Sequence, residues 1–108
     1  MALVTASAHQ IEAVADDGEA DLIARARDKD PEAWDILYST HYRAIYRYAY
    51  LRVSNVHTAE DLAADVFLQA VRSIGRYRYR GIAFRAWLYR IAHNLTADHC
   101  RRARAPWP

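Results

Sequence analysis

"TAEDLAADVFLQAVRSIG", residues 58–75, decides the fold. Thr58 followed three residues later by Asp61 matches the capping-box pattern that opens a helix, and Gly75 is well placed to stop one. At about 100° per residue, Ala59, Leu62, Ala63, Val66, Phe67, Ala70, Val71 and Ile74 fall within one half of the circumference. A helix over about 58–74 is expected to bury that half. On the other side Asp61, Asp65, Leu68 and Arg72 cluster within about 60°. A leucine sits among carboxylates on the face that should be wet. It is either one of the single exposed leucines that most proteins tolerate, or the apolar part of a docking ridge whose acids select a basic partner.

Toward the N-terminus, Asp30 can cap a helix, Pro31 suits its first position, and Glu32 and Asp35 favour the positive end of its dipole. That helix is expected to run to about Val53, where Ser54 and Asn55 break it. A shorter helix should cover about 20–28. Toward the C-terminus a helix over about 84–103, ended by Pro106, carries Phe84, Trp87, Leu88, Ile91 and Leu95 on its apolar arc. The chain has three Gly, three Pro and no strand-length run of β-branched residues. The fold class expected is therefore all-α, a compact bundle of about four helices in one domain over 19–108, after a flexible leader over 1–18.

Apolar residues make up 53% of the 108, yet no apolar run approaches the roughly 20 residues that cross a bilayer. Membrane insertion is not expected, and without a secretory signal pattern the location expected is cytoplasmic. The single cysteine, Cys100, cannot form an internal disulfide. Net charge is only +2, but residues 1–65 carry −6 and residues 66–108 carry +8. His93, His99 and Cys100 lie near one helix end, but His93 and His99 are six residues apart and face different ways. No catalytic residues, metal site or cofactor are expected.

The segment "GRYRYRG", residues 75–81, lies in the basic part between two predicted helices. Its alternation suits an edge strand, a solvated loop whose tyrosines pack back on the core, or a loop that stacks bases on Tyr and Arg while guanidinium groups hold phosphates. On the last helix Arg90, Asn94 and Arg101 share a flank that suits phosphate and base contacts. Arg101, Arg102 and Arg104 also suit the negative end of the helix dipole. Trp87 fits a core position as well as a stacking platform.

Together "TAEDLAADVFLQAVRSI" and "FRAWLYRIAHNLTADHCRR" resemble region 2 of bacterial sigma-70 family sigma factors, most closely the extracytoplasmic-function (group 4) type. The likeness covers about residues 20–104. It implies a helical domain that binds core RNA polymerase and recognises and melts the promoter −10 element. By this resemblance Asp61, Asp65, Leu68, Gln69 and Arg72 match the surface that docks on the clamp helices of the β′ subunit. Arg76, Tyr77, Arg78, Tyr79 and Arg80 match the loop that holds a flipped base of the non-template single strand. Trp87, Arg90 and Asn94 match the upstream edge of the melted segment, with Arg101 and Arg102 further along the same helix. An anti-sigma factor is a further implied partner, and a helical module that serves mainly to bind such a regulator is the alternative reading.

Departures from the family pattern are Ala64 where many members have Gln, Val71 where many have a bulky aromatic, and Leu88 after Trp87 where housekeeping members have a second tryptophan. Members also continue to a second domain that reads the −35 element. This chain stops at "RRARAPWP", so an excised domain or truncated product is expected, unable alone to support full promoter recognition.

Overall fold

A computed structural model describes residues 18–78 and 83–104. Four α-helices make up the architecture: α1 (Ala20–Arg27), α2 (Pro31–Val53), α3 (Val56–Ser73) and α4 (Phe84–Ala103), with a 3-10 turn at Ile74–Arg76. The described residues contain no strand. This is the all-α bundle expected. The leader expected over 1–18 falls outside the described residues except for its last position.

The first helices start where their sequence says they should. Asp30 caps α2, its Oδ1 accepting from the Glu32 amide at 3.0 Å with Pro31 in the first turn. Arg25 of α1 ties the two helices, donating to Asp30 Oδ2 at 2.8 Å and to Glu32 Oε1 at 2.9 Å. The hydrogen bond from Arg25 holds the Asp30 carboxyl below its ordinary pKa. At the far end Ser54 takes a left-handed conformation, φ 53°, and its amide donates to the Tyr50 carbonyl at 2.8 Å. The chain then turns at once into α3.

Two expectations about the ends of α3 are corrected. Its cap is Asn55, not Thr58: the Asn55 side chain accepts from the Thr58 amide at 2.9 Å, and the helix begins at Val56. Gly75 is not a left-handed stop, since no described glycine has positive φ and a Cβ built on Gly75 meets nothing within 4 Å. The chain tightens into the 3-10 turn there instead of reversing.

Packing follows three stripes with a spacing of about one turn. On α2 the buried residues are Ala33, Leu37, His41, Ile45 and Ala49; on α4 they are Phe84, Leu88, Ala92 and Thr96. On α3 they are Ala59, Leu62, Ala63, Val66, Phe67 and Ala70. These three helices touch pairwise, and α1 lies against α2 and the 3-10 turn with Ile23 and Ala26 buried. Each large aliphatic side chain so buried contributes about 2 kcal/mol. Val71, expected in the core, is 45% exposed at the edge of the stripe. On α4 the buried arc is rotated from the expected one: Trp87, Ile91 and Leu95 are half-buried and pack against the core from its margin.

Asn55→Ala should lower stability by about 1 kcal/mol in urea unfolding, because it removes the acceptor at the start of α3. Thr58→Ala should be close to neutral; the reverse ranking would restore the Thr58 cap.

Candidate functional site

The wet face of α3 is built as the sequence reading expects. Asp61, Asp65, Gln69 and Arg72 are exposed, and Leu68 among them keeps 48% of its surface. Among the described residues Asp61 and Asp65 form no ion pair. Gln69 donates to Ser73 Oγ at 2.7 Å, which steadies it along the helix. Beside Leu68 lies a groove of about 310 Å³ between α3 and α2, lined by Tyr38, Ala64, Phe67, Leu68 and Val71, with Asp35 its one charged lining residue. The Tyr38 ring leans on Phe67 at 4.9 Å between centroids while remaining 45% exposed. Acids and apolar groups are therefore intermixed on one continuous surface.

At the loop the reading changes for Tyr77. Predicted as a base-stacking residue, it is only 1% exposed and belongs to the core. Its ring meets Phe84 edge-on at 5.8 Å and leans against Trp87 at 4.9 Å. Its carbonyl accepts from Arg27 Nη2, and Arg27 Nε reaches the Ile74 carbonyl at 3.4 Å. Trp87, half-buried over Tyr77 and Phe84, is likewise more a packing group than an open platform.

The basic candidates divide into free and engaged. Arg76, Arg90 and Asn94 are exposed, and Arg78 is exposed but donates to the Gly75 carbonyl at 3.0 Å. Arg101 and Arg102 both donate to Asp98, the latter at 2.7 Å, so neither guanidinium at that end of α4 is wholly free for a phosphate. The same pair of guanidiniums holds the Asp98 carboxyl below its ordinary pKa. Tyr79 and Arg80 lie outside the described residues.

Sequence reasoning missed a second depression among the described residues. Between α2 and α4 a cleft of about 760 Å³ is lined by Arg43, Arg47, Arg52, Arg85, Tyr48 and Tyr89 among others, with no acid among its lining residues. Arg52 lies over the Tyr48 ring at 3.6 Å, Tyr89 leans on the same ring at 5.5 Å, and the Tyr48 hydroxyl meets His93 Nδ1 at 3.2 Å. Arg85 is aimed by a buried neighbour, donating to His41 Nδ1 at 3.3 Å. Burial and the Arg85 charge push the His41 pKa down to about 4, so the ring is neutral and accepts that bond. The signal was present: "HYRAIYRYAYLR", residues 41–52, repeats the Arg and Tyr of the loop, and no acid occurs between Asp35 and Glu60.

The two depressions have opposite character. One is apolar with an acidic rim, and the other is cationic and aromatic; α2 forms a wall of both. Among the described residues no group of three or more His, Cys, Asp or Glu could hold a metal, and no helix is long and apolar enough to cross a membrane.

Comparison with known proteins gives the family. Residues 37–105 match the family model described as Sigma-70 region 2. The extracytoplasmic-function RNA polymerase sigma factor BldN of Streptomyces coelicolor is 44% identical over 84 residues, which are 78% of this chain and 32% of BldN. SigM of Mycobacterium tuberculosis is 37% identical over 87 residues, 81% of this chain and 44% of SigM. The chain thus spans less than half of the length of these curated relatives. A solved RsbN–BldN complex contains a chain that superposes with a TM-score of 0.68 at 43% identity, over 75% of this chain and 59% of that one.

Tyr77→Ala should destabilise the domain by about 3 kcal/mol, as aromatic truncations in cores do. A melt unchanged from wild type, with loss confined to DNA binding, would return Tyr77 to the DNA surface.

Proposed function

Because the chain belongs to the sigma-70 region 2 family, we propose that it serves transcription initiation, docking on the β′ clamp helices of RNA polymerase and recognising and melting the promoter −10 element. The observation that supports this reading is a pair of depressions of different chemistry on one core, one cationic and aromatic, the other apolar and next to the exposed acids of α3. A protein that must hold an enzyme and a nucleic acid at once needs two surfaces with different chemistry.

The α3 ridge is the polymerase side. Leu68 supplies apolar contact area, Asp61 and Asp65 select basic partners and suppress acidic ones, and Gln69 and Arg72 extend the rim. Nucleic acid takes the other side. Arg76, Arg78, Tyr79 and Arg80 receive the flipped non-template base and its phosphates, while Arg90 and Asn94 contact the upstream edge. Tyr77 and Trp87 act from beneath, fixing the base of the loop. Arg43, Arg47, Arg85 and Tyr89 continue the cationic surface along α2, where a displaced single strand can lie against guanidinium groups and ring faces. Unpairing and unstacking cost a few kcal/mol, which capture of the extruded base offsets without any nucleotide hydrolysis by this chain.

A regulatory partner is the second reading, and the RsbN–BldN complex favours it. An anti-sigma protein covering the α3 ridge would exclude the clamp helices. The two readings coexist, since sequestration and docking then compete for one surface.

Capture of purified β′ clamp helices by the chain should be abolished by Asp61→Arg with Asp65→Arg while the circular-dichroism melt is unchanged. Arg43→Ala with Arg47→Ala should spare that capture, yet weaken binding of a single-stranded −10 non-template oligonucleotide and lower its salt slope by about 0.7 for each phosphate no longer neutralised. Retained capture with a native melt would remove the docking role.

A further inference from the structure

We infer that the buried imidazole of His41 is a positioning residue for strand binding: it holds Arg85 at the α2–α4 cleft, so that the guanidinium meets a phosphate already oriented. This rests on the nucleic-acid role proposed above for that cleft. Arg85 stands where helix chemistry alone would not put it. It is exposed in the first turn of α4, at the positive end of the helix dipole, in a turn with no acid of its own and no side-chain cap from Ala83. Glu19, the carboxylate supplied to that helix end, accepts from the Phe84 amide, and among the described residues Arg85 forms no ion pair. What holds it is the bond from its Nε to His41 Nδ1 at 3.3 Å.

The holder is itself fixed. His41 keeps only 5% of its surface, lies in the α2 stripe between Leu37 and Ile45, and leans its ring on Phe84 at 5.5 Å between centroids. Phe84 is fully buried and directly precedes Arg85, so the acceptor and the root of the donor share one packed contact. An exposed arginine ordinarily loses much side-chain freedom when it binds; anchored at Nε, Arg85 has given up part of that freedom on folding. Neither of its Nη groups bonds a described residue, and together they form the end-on fork that takes two phosphate oxygens.

The chemistry of the acceptor matters as much as its place. Other arginines of this chain are held by carboxylates: Arg25 by Asp30 and Glu32, Arg101 and Arg102 by Asp98. A carboxylate orients a guanidinium but offsets its charge. The uncharged imidazole orients without offsetting, and burial keeps it uncharged at neutral pH. Arg43, Arg47 and Arg52 line the same cleft with no acid among them, so Arg85 adds its full charge to a surface suited to an anion.

The test measures equilibrium binding of a single-stranded −10 non-template oligonucleotide by the full chain over a range of salt, with the thermal melt of each variant alongside. His41→Phe, which fills the space without an acceptor, should weaken binding about fivefold and lower the salt slope by up to about 0.7. His41→Asn, whose Oδ1 takes the place of Nδ1, should recover binding to within about twofold. In an Arg85→Ala background His41→Phe should change nothing further. A folded His41→Phe that binds as wild type overturns the inference, and so does a loss that persists undiminished without Arg85, the result expected of a packing role alone. If Arg85→Ala binds as wild type while Arg43→Ala with Arg47→Ala weakens binding, the inference falls and the cleft keeps its proposed role. If neither weakens binding, both fall. Should His41→Phe lower the melt, Arg85→Lys decides instead: an ammonium can bond His41 or a phosphate but lacks a separate fork for each, so binding should drop to the same degree, and wild-type binding would overturn the inference.

Discussion

Burial of the Tyr77 side chain is the constraint on which the functional surfaces depend. Between Phe84 and Trp87 its ring joins the end of the 3-10 turn to the start of α4. Arg27, from the far end of α1, binds the Tyr77 and Ile74 carbonyls and closes the same junction from outside. On the α4 side the Phe84 amide donates to Glu19 Oε2 at 3.2 Å, a carboxylate at the positive end of a helix supplied from 65 residues away. The two ends of the arginine-rich loop are thus pinned by groups from the N-terminal part of the chain.

From that junction the surfaces separate cleanly by chemistry. α2 presents Asp35 and Tyr38 to α3 in its early turns, then Arg43, Arg47 and Arg52 toward α4 in its later ones. One helix thereby supplies a largely aromatic wall with a single acid, Asp35, to one depression and a cationic wall to the other. The buried stripe from Ala33 to Ala49 holds both in fixed relation.

Helix boundaries were legible because local chemistry decides them. Asp30, Pro31 and Ser54 bracket α2, and α4 runs from Phe84 to Ala103 as its periodicity indicates. The start of α3 was misassigned: Asn55, read only as part of the break after α2, accepts from the Thr58 amide and caps the helix ahead of the pattern that begins at Thr58. Val71 was misplaced because α3 buries a narrower arc than half its circumference. Tyr77 was misplaced because alternation in "RYRYR" does not tell which ring turns inward; that depends on Phe84 and Trp87 arriving from the next helix. The α2 arginines were overlooked for a different reason. Dividing the charge at residue 65 pooled them with the acids of α1 and α3, and the cleft appears only when α4 brings Arg85 and Tyr89 alongside.

Hydrogen exchange of the chain, measured separately with the β′ clamp helices and with a single-stranded −10 non-template oligonucleotide, tests the two-surface arrangement most directly. The clamp helices should protect α3 around Asp61 to Arg72 and the early turns of α2. The oligonucleotide should protect the later turns of α2 and the first half of α4, and both should bind together. Protection of the same amides by both ligands, or mutual exclusion, would contradict it.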